Sequence, residues 1–162
     1  YHAGTTWGAR GKTPVVPTSG SRVSVNMLSA ITAKGEMRFM VTTGRVNAPR
    51  FVEFLKRLLT KAAGPIFLIL DGHPVHRSRV VSAFVKSTAG RLRIFLLPGY
   101  SPELNPDEQV WNHVKNRGIG RASIPSRDDL HRRVTRRLHS LQRQPRLVQS
   151  FFQLPDTRYA AV

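Results

Sequence analysis

Carboxylates are scarce in this sequence, which makes their placement informative. Asp and Glu together number nine in 162 residues. Three of them, Glu103, Asp107 and Glu108, fall within six positions, and Asp71 closes the apolar run Ile66-Phe67-Leu68-Ile69-Leu70. A carboxylate at the C-terminal end of a buried strand is where α/β folds place chemistry. Taken alone, Asp71 could equally cap a loop or pair with one of the 26 basic residues. A second apolar run, Arg93 to Leu97, ends just before the acidic segment. If the two runs are adjacent parallel strands, their loops leave at one sheet edge, and the segment Pro98–Glu108 comes beside Asp71. Carboxylates meeting there repel unless a cation joins them. Oxygen-only ligands suit Mg²⁺ or Mn²⁺. Two such ions can activate a water or a 3′-hydroxyl and stabilise the leaving oxygen of a phosphodiester.

The elements that must hold these residues can be read from periodicity. Residues 1–20 are rich in Gly, Thr and Pro and read as an irregular arm. Arg22 to Thr32 alternates at Val23, Val25 and Met27, the period of a strand. Lys34-Gly35 supplies a turn, and Met37 to Thr43 returns as the second strand of a hairpin. Asn47 and Pro49 open a helix with the stripe Phe51, Val52, Phe54, Leu55, Leu58 and Leu59, ended by Gly64-Pro65. Ile66–Leu70 and Arg93–Leu97 read as strands buried on both faces. Between them Ser78 caps a helix carrying Val80, Val81, Phe84 and Val85. A further helix starts near Pro106 and runs to about Arg117, stopped by Gly118 and Gly120. The last spans 126–146, with Ser126 and Asp129 as a capping box and Leu130, Val134, Leu138 and Leu141 as its stripe. Two antiparallel strands followed by strand–helix alternation predict a mixed α/β sheet flanked by helices in a single domain, 1–162.

Composition narrows the partners. The formal charge of +17 makes a compact domain repel itself unless it meets a polyanion. DNA or RNA fits, through phosphate contacts, although a solvated basic surface or RNA binding without catalysis has the same charge. Absence of cysteine excludes disulfides, thiolate zinc sites and a cysteine nucleophile. No apolar run is long enough to span a membrane, and the start carries no secretory signal. The chain opens without Met and in mid-pattern, as expected of a fragment or a trimmed piece.

Two stretches carry a resemblance to a family. They are Leu70-Asp71-Gly72-His73-Pro74-Val75-His76-Arg77-Ser78 and Leu97-Pro98-Gly99-Tyr100-Ser101-Pro102-Glu103-Leu104-Asn105-Pro106-Asp107-Glu108-Gln109-Val110-Trp111. Together they closely resemble mariner-type DDE transposases, nearest the bacterial insertion-sequence 630 branch. Asp71 and Glu108 fall on the family's second and third acids, with 36 residues between them. Upstream, Thr6-Trp7-Gly8-Ala9-Arg10-Gly11-Lys12-Thr13-Pro14 resembles the family's Trp-containing arm. The resemblance covers about residues 5–117 and implies a ribonuclease-H-like core over 22–117. It implies cleavage at transposon ends and joining of the 3′-hydroxyl to target DNA, with two divalent ions in the intact domain. It further implies a homodimer in the full-length protein, acting on nucleoid DNA in a bacterial cytoplasm. Gly72 stands where the family has Asn. The family's first acid lies on a central strand before the arm, and this chain starts after it. Glu36, at a hairpin turn, and Glu53, on a helix, are poor substitutes. The expectation is therefore a fold lacking its first, central strand and one metal ligand.

Other residues carry two readings each. His76 either orients a carboxylate or phosphate at the site or bonds loop backbone; paired with His73 it would need further ligands to hold zinc. Asn105 either caps the helix that presents Glu108 or acts in catalysis. Trp111 is a core residue or a base-stacking platform. Lys115, the arm residues Arg10 and Lys12, and Arg132, Arg133, Arg136 and Arg137 of the basic last helix contact DNA phosphate or are merely solvated. Phosphate contacts position and do not specify a sequence. The functional expectation is a DNA-cutting transposase catalytic domain. One alternative is a truncated, non-catalytic nucleic-acid-binding remnant. Another is a ribonuclease-H-like nuclease that hydrolyses without joining.

Overall fold

A computed structural model describes residues 23–99, 101–116, 124 and 126–161. The arm with Arg10 and Lys12, and the stop at Gly118 and Gly120, lie outside the described residues.

Strands β1 (Asn26–Ile31) and β2 (Met37–Thr42) form the expected antiparallel hairpin, Asn26 opposite Thr42 and Ile31 opposite Met37. Its turn needs Gly35, whose φ of +85° is left-handed. A Cβ there would also stand 2.5 Å from the Pro145 carbonyl oxygen. The hairpin tip is thus pressed against the start of a C-terminal helix. Gly35→Ala is expected to lower stability by about 2–3 kcal/mol, backbone strain plus displaced packing. Gly90 has the same φ of +85° with nothing within 4 Å of a Cβ. Gly90→Ala should therefore cost only about 1 kcal/mol. Equal losses for the two in urea denaturation would exclude the Pro145 contact as a constraint.

Helix α1 (Ala48–Thr60) begins where Asn47 accepts a hydrogen bond from the Arg50 amide. Phe51, Phe54, Leu55 and Leu58 are buried at helical spacing. Strand β3 (Ile66–Leu70) pairs in parallel with β4 (Leu92–Leu96), with α2 (Arg79–Ser87) crossing between them. Ser78 accepts from the Val81 amide at the start of α2, as its position predicted. Helices α3 (Glu108–Val114), α4 (Arg127–Gln142) and α5 (Pro145–Ser150) complete the order. The expected single helix over 126–146 is two. Pro145 cannot donate the hydrogen bond that would continue α4, so it opens α5 instead.

Two cores flank the strands. Met40 joins Phe51, Phe54, Leu55, Leu58, Val81 and Leu92, with Leu28, Ala30, Leu68, Leu70 and Ile94 packed against them. Helices α1 and α2 therefore cover one face of both strand pairs. Met27 and Met37 join Val110, Val114, Val134, Leu138, Leu141 and Val148, with Ile31 and Phe39 against them. Helices α3, α4 and α5 thus cover the second face of β1–β2.

Two expectations are corrected. Among the described residues the strands form two two-stranded sheets, β1–β2 and β3–β4, and not one mixed sheet. The second pair is also buried on one face only. Phe67 (60 %), Ile69 (41 %) and Phe95 (51 %) remain exposed, because the core made with α3, α4 and α5 draws on β1–β2 and not on β3–β4. Continuous apolar sequence reported the need for cover on both faces. It did not report whether the described chain supplies that cover. Val80, assigned to the stripe of α2, is also exposed.

Candidate ion-binding site

Asp71 leaves the C-terminal end of β3 into a short turn. Its Oδ1 accepts from the His73 amide at 3.0 Å, which fixes the carboxylate relative to the loop. His76 then folds back. Its Nδ1 lies 3.1 Å from the Asp71 carbonyl oxygen and 3.0 Å from Oδ1. Both neighbours are acceptors, so Nδ1 carries the proton. The imidazole packs on Phe51, ring centroids 4.6 Å apart, and is 12 % exposed where Asp71 is 53 % exposed. His76 thus holds Asp71 in place from a rigid base in the core. It also bonds loop backbone, so both of its readings describe the same contact.

The acidic segment arrives from the other side. The parallel register of β3 and β4 is extended by the Leu97 amide donating to the Leu70 carbonyl, so both loops leave together. Asn105 Oδ1 accepts from the Asp107 amide and its carbonyl from the Glu108 amide, which turns the chain into α3. Asn105 thus closes the turn that leads into α3 and is not its cap: the N-cap position is Asp107, with no side-chain cap hydrogen bond. Glu108 sits in the first turn of α3, where its charge is favourable.

Asp71, His73, His76, Asn105, Asp107 and Glu108 all line one cavity of about 460 Å³. It lies between β1 and β3, with Phe51 and Phe54 of α1 on one side and Trp111, Phe152 and Tyr159 on the other. Glu103 does not line it.

Asp107 is the residue that sequence reasoning passed over. Its Oδ2 accepts from Ser29 Oγ of β1 at 2.7 Å, across 78 positions of chain. Its Oδ1 is shut from solvent with no partner among the described residues. Burial lifts the carboxyl to about 6. The Ser29 hydrogen bond pulls it down, and the charges of Glu108 and Asp71 push it further up. A signal existed in β1. Ser29 lies on the face that carries Met27 and Ile31, a polar residue where the period demands an apolar one.

The carboxylates of Asp71, Asp107 and Glu108 line the cavity, and oxygen ligands of this kind fit a hard divalent cation. Their number falls short. Among the described residues, no group of three or more His, Cys, Asp or Glu is gathered closely enough to hold an ion.

The basic residues are dispersed. Lys115 lies over the Trp111 ring at 5.4 Å. Trp111 is half-buried against the core, the structural one of its two readings. Arg132 and Arg133 pair with Asp129 of their own helix at 3.6 and 2.7 Å. Arg136 is exposed, whereas Arg137 is half-buried, 3.1 Å from His113 Nε2.

The chain is similar to Mos1 transposase in the Mos1 strand transfer complex, with TM-score 0.56 and 14 % identity over 90 % of this chain and 48 % of that one. It is likewise similar to Mos1 transposase in a paired-end complex with the left transposon end, with TM-score 0.51 and 13 % identity over 90 % of this chain and 49 % of that one. The mixed α/β fold is thus shared, and the chain spans about half the length of those structures. The model of the DDE superfamily endonuclease family matches residues 2–131. The chain belongs to that family. No curated protein matches it by sequence.

Proposed function

We propose that this chain is the greater part of a transposase catalytic domain that cuts transposon-end DNA and joins the 3′-hydroxyl to target DNA. One observation carries the reading: Asp71, from the end of β3, and Glu108, from the start of α3, line the same cavity. In this reading they hold Mg²⁺ or Mn²⁺, two ions in the intact domain. Held there, such ions would supply Lewis-acid activation of the attacking oxygen and charge neutralisation at the leaving one. His76 keeps Asp71 aimed, and Asn105 sets the helix start that presents Glu108. The remaining ligand comes from a strand upstream of Tyr1, the central strand of a ribonuclease-H-like sheet, seated between β1 and β3. That position has support. Among the described residues each of the two strands is paired on one edge only, both line the cavity, and α1 and α2 cover the same face of both pairs. An inserted strand would also cover Phe67 and Ile69, which line the same cavity.

The charge of +17 provides the attraction to phosphate, with Arg136 and Lys115 as exposed contacts. The motif around Glu108 favours the bacterial insertion-sequence 630 branch, hence a homodimer on nucleoid DNA in the cytoplasm. Among the described residues, no helix is long and apolar enough to cross a membrane.

A second reading, a non-catalytic nucleic-acid-binding remnant, draws on the lack of a three-ligand group among the described residues. The two are separated by extending the chain upstream through its own coding sequence. The extended chain is then incubated with labelled DNA from the borders of its gene. Mg²⁺-dependent nicking and a joined product are expected. Binding without nicking would leave the remnant, and hydrolysis of pre-cut ends without joining would leave a simple nuclease.

A further inference from the structure

We infer that Tyr159 is a positioning residue, whose hydroxyl straps the loop that leads Glu108 to the cavity. The inference rests on the reading of Glu108 as a functional carboxylate, but its own support is the geometry of the C-terminal segment. After α5 the chain packs back on the second core, where Phe151 and Phe152 are buried. Thr157 is buried too, and its Oγ1 donates to the Phe151 carbonyl at 2.7 Å. Arg158–Ala160 follows as a short 3₁₀ turn, with Ala160 packed against the same core. The segment is therefore a fixed base. Tyr159 lies beyond residues 2–131, the stretch that the family shares.

From that base Tyr159 donates its hydroxyl to the Leu104 carbonyl at 2.9 Å, across 55 positions of chain. Leu104 ends the single turn Pro102–Leu104. The backbone bonds of that turn are local, from the Leu104 amide to Ser101 and from the Asn105 amide to Pro102. A turn held by local bonds alone opens readily, and Tyr159 ties this one to the core. The peptide group it holds joins Leu104 to Asn105. Asn105 in turn accepts from both the Asp107 and the Glu108 amides. Fixing that peptide fixes the residue on which the start of α3 turns, and with it the aim of Glu108. Tyr159, Asn105 and Glu108 line the same cavity. The Tyr159 ring stays exposed, so its hydroxyl contact explains its place better than packing does.

The test is Tyr159→Phe, which deletes the hydroxyl and keeps the ring, in the chain extended upstream through its own coding sequence. Circular dichroism confirms the fold. By amide hydrogen exchange, Leu104, Asn105 and Glu108 should exchange about fivefold faster, as expected for one lost hydrogen bond, and α1 should not change. The rate of Mg²⁺-dependent cleavage at saturating DNA should fall by about the same factor, with DNA affinity unchanged. Faster exchange confined to 157–161, with cleavage as in the wild type, would make Tyr159 a C-terminal anchor. That result overturns the inference and leaves the reading of Glu108 intact. Faster exchange in the loop with unchanged cleavage overturns it as well. A change in DNA affinity alone would make Tyr159 a DNA contact, which also overturns it. An extended wild type that does not cleave overturns the reading of Glu108 and the inference together.

Discussion

Asp71→Asn or Glu108→Gln, made in a chain extended upstream through its own coding sequence, is expected to cut Mg²⁺-dependent DNA cleavage by about a thousandfold or more. A divalent ion lowers the barrier to phosphodiester attack by several kcal/mol, and each 1.4 kcal/mol or so is a factor of ten. Both substitutions preserve size. In Asp71→Asn the side-chain amide oxygen can still accept from the His73 backbone N–H, and position 71 is exposed enough that the core is not at stake. Each removes one negative charge from a chain whose formal charge is +17, so phosphate affinity should stay within about twofold. His76→Ala should show a smaller loss, about tenfold, because it loosens Asp71 without removing it. Cleavage rates and fluorescence anisotropy on the same DNA at the same salt separate the two effects. Cleavage retained in both carboxylate variants would remove the metal-ligand reading of this pair.

The pair was legible because of its rarity and its neighbours. In a sequence rich in Lys and Arg, an acid ending one apolar run and a second placed just after another run are conspicuous. The parallel pairing needed to bring them together was recoverable from strand–helix–strand order. Asp107 was visible only as a member of a cluster. Nothing along the chain distinguishes it from Glu103, because what sets it apart is Ser29, 78 positions away. A contact of that kind is a product of the hairpin's twist and of the packing of α3 beneath it. The one trace it leaves is a polar residue on the apolar face of β1.

The fold divides in the same way. Helices and strands follow from local pattern and caps, and Asn47, Ser78 and Ser126 each accept the hydrogen bond their positions imply. Sheet assembly does not follow from pattern. The runs Ile66–Leu70 and Ile94–Leu97 are apolar throughout, yet among the described residues Phe67, Ile69 and Phe95 of β3–β4 stay exposed. The break between α4 and α5 was marked by Pro145, but the apolar residues Leu147 and Val148 beyond it gave no reason to expect a separate packed turn. Val148 is fully buried beside Leu138 and Leu141, so α5 closes the second core.

Asp107→Asn is expected to stabilise the chain at neutral pH and to leave it nearly unchanged in acid. The carboxyl rises from 3.8 to about 6, chiefly because burial disfavours its charge. Between those values the folded chain holds a proton that the unfolded chain has released. Unfolding free energy therefore falls as pH rises through this window. The contribution is intact below about pH 4, and above pH 6 the full cost of a buried charge is present, about 3 kcal/mol for a shift of this size. Asn buries no charge and still offers Ser29 an acceptor, so the variant should exceed the wild type by about 2–3 kcal/mol at pH 7.5 and match it at pH 4. Other carboxylates and histidines titrate over the same range, but they are common to both proteins and cancel in the difference. Urea denaturation at the two pH values measures it. A wild type and variant with parallel pH profiles would show instead that Asp107 carries no buried charge.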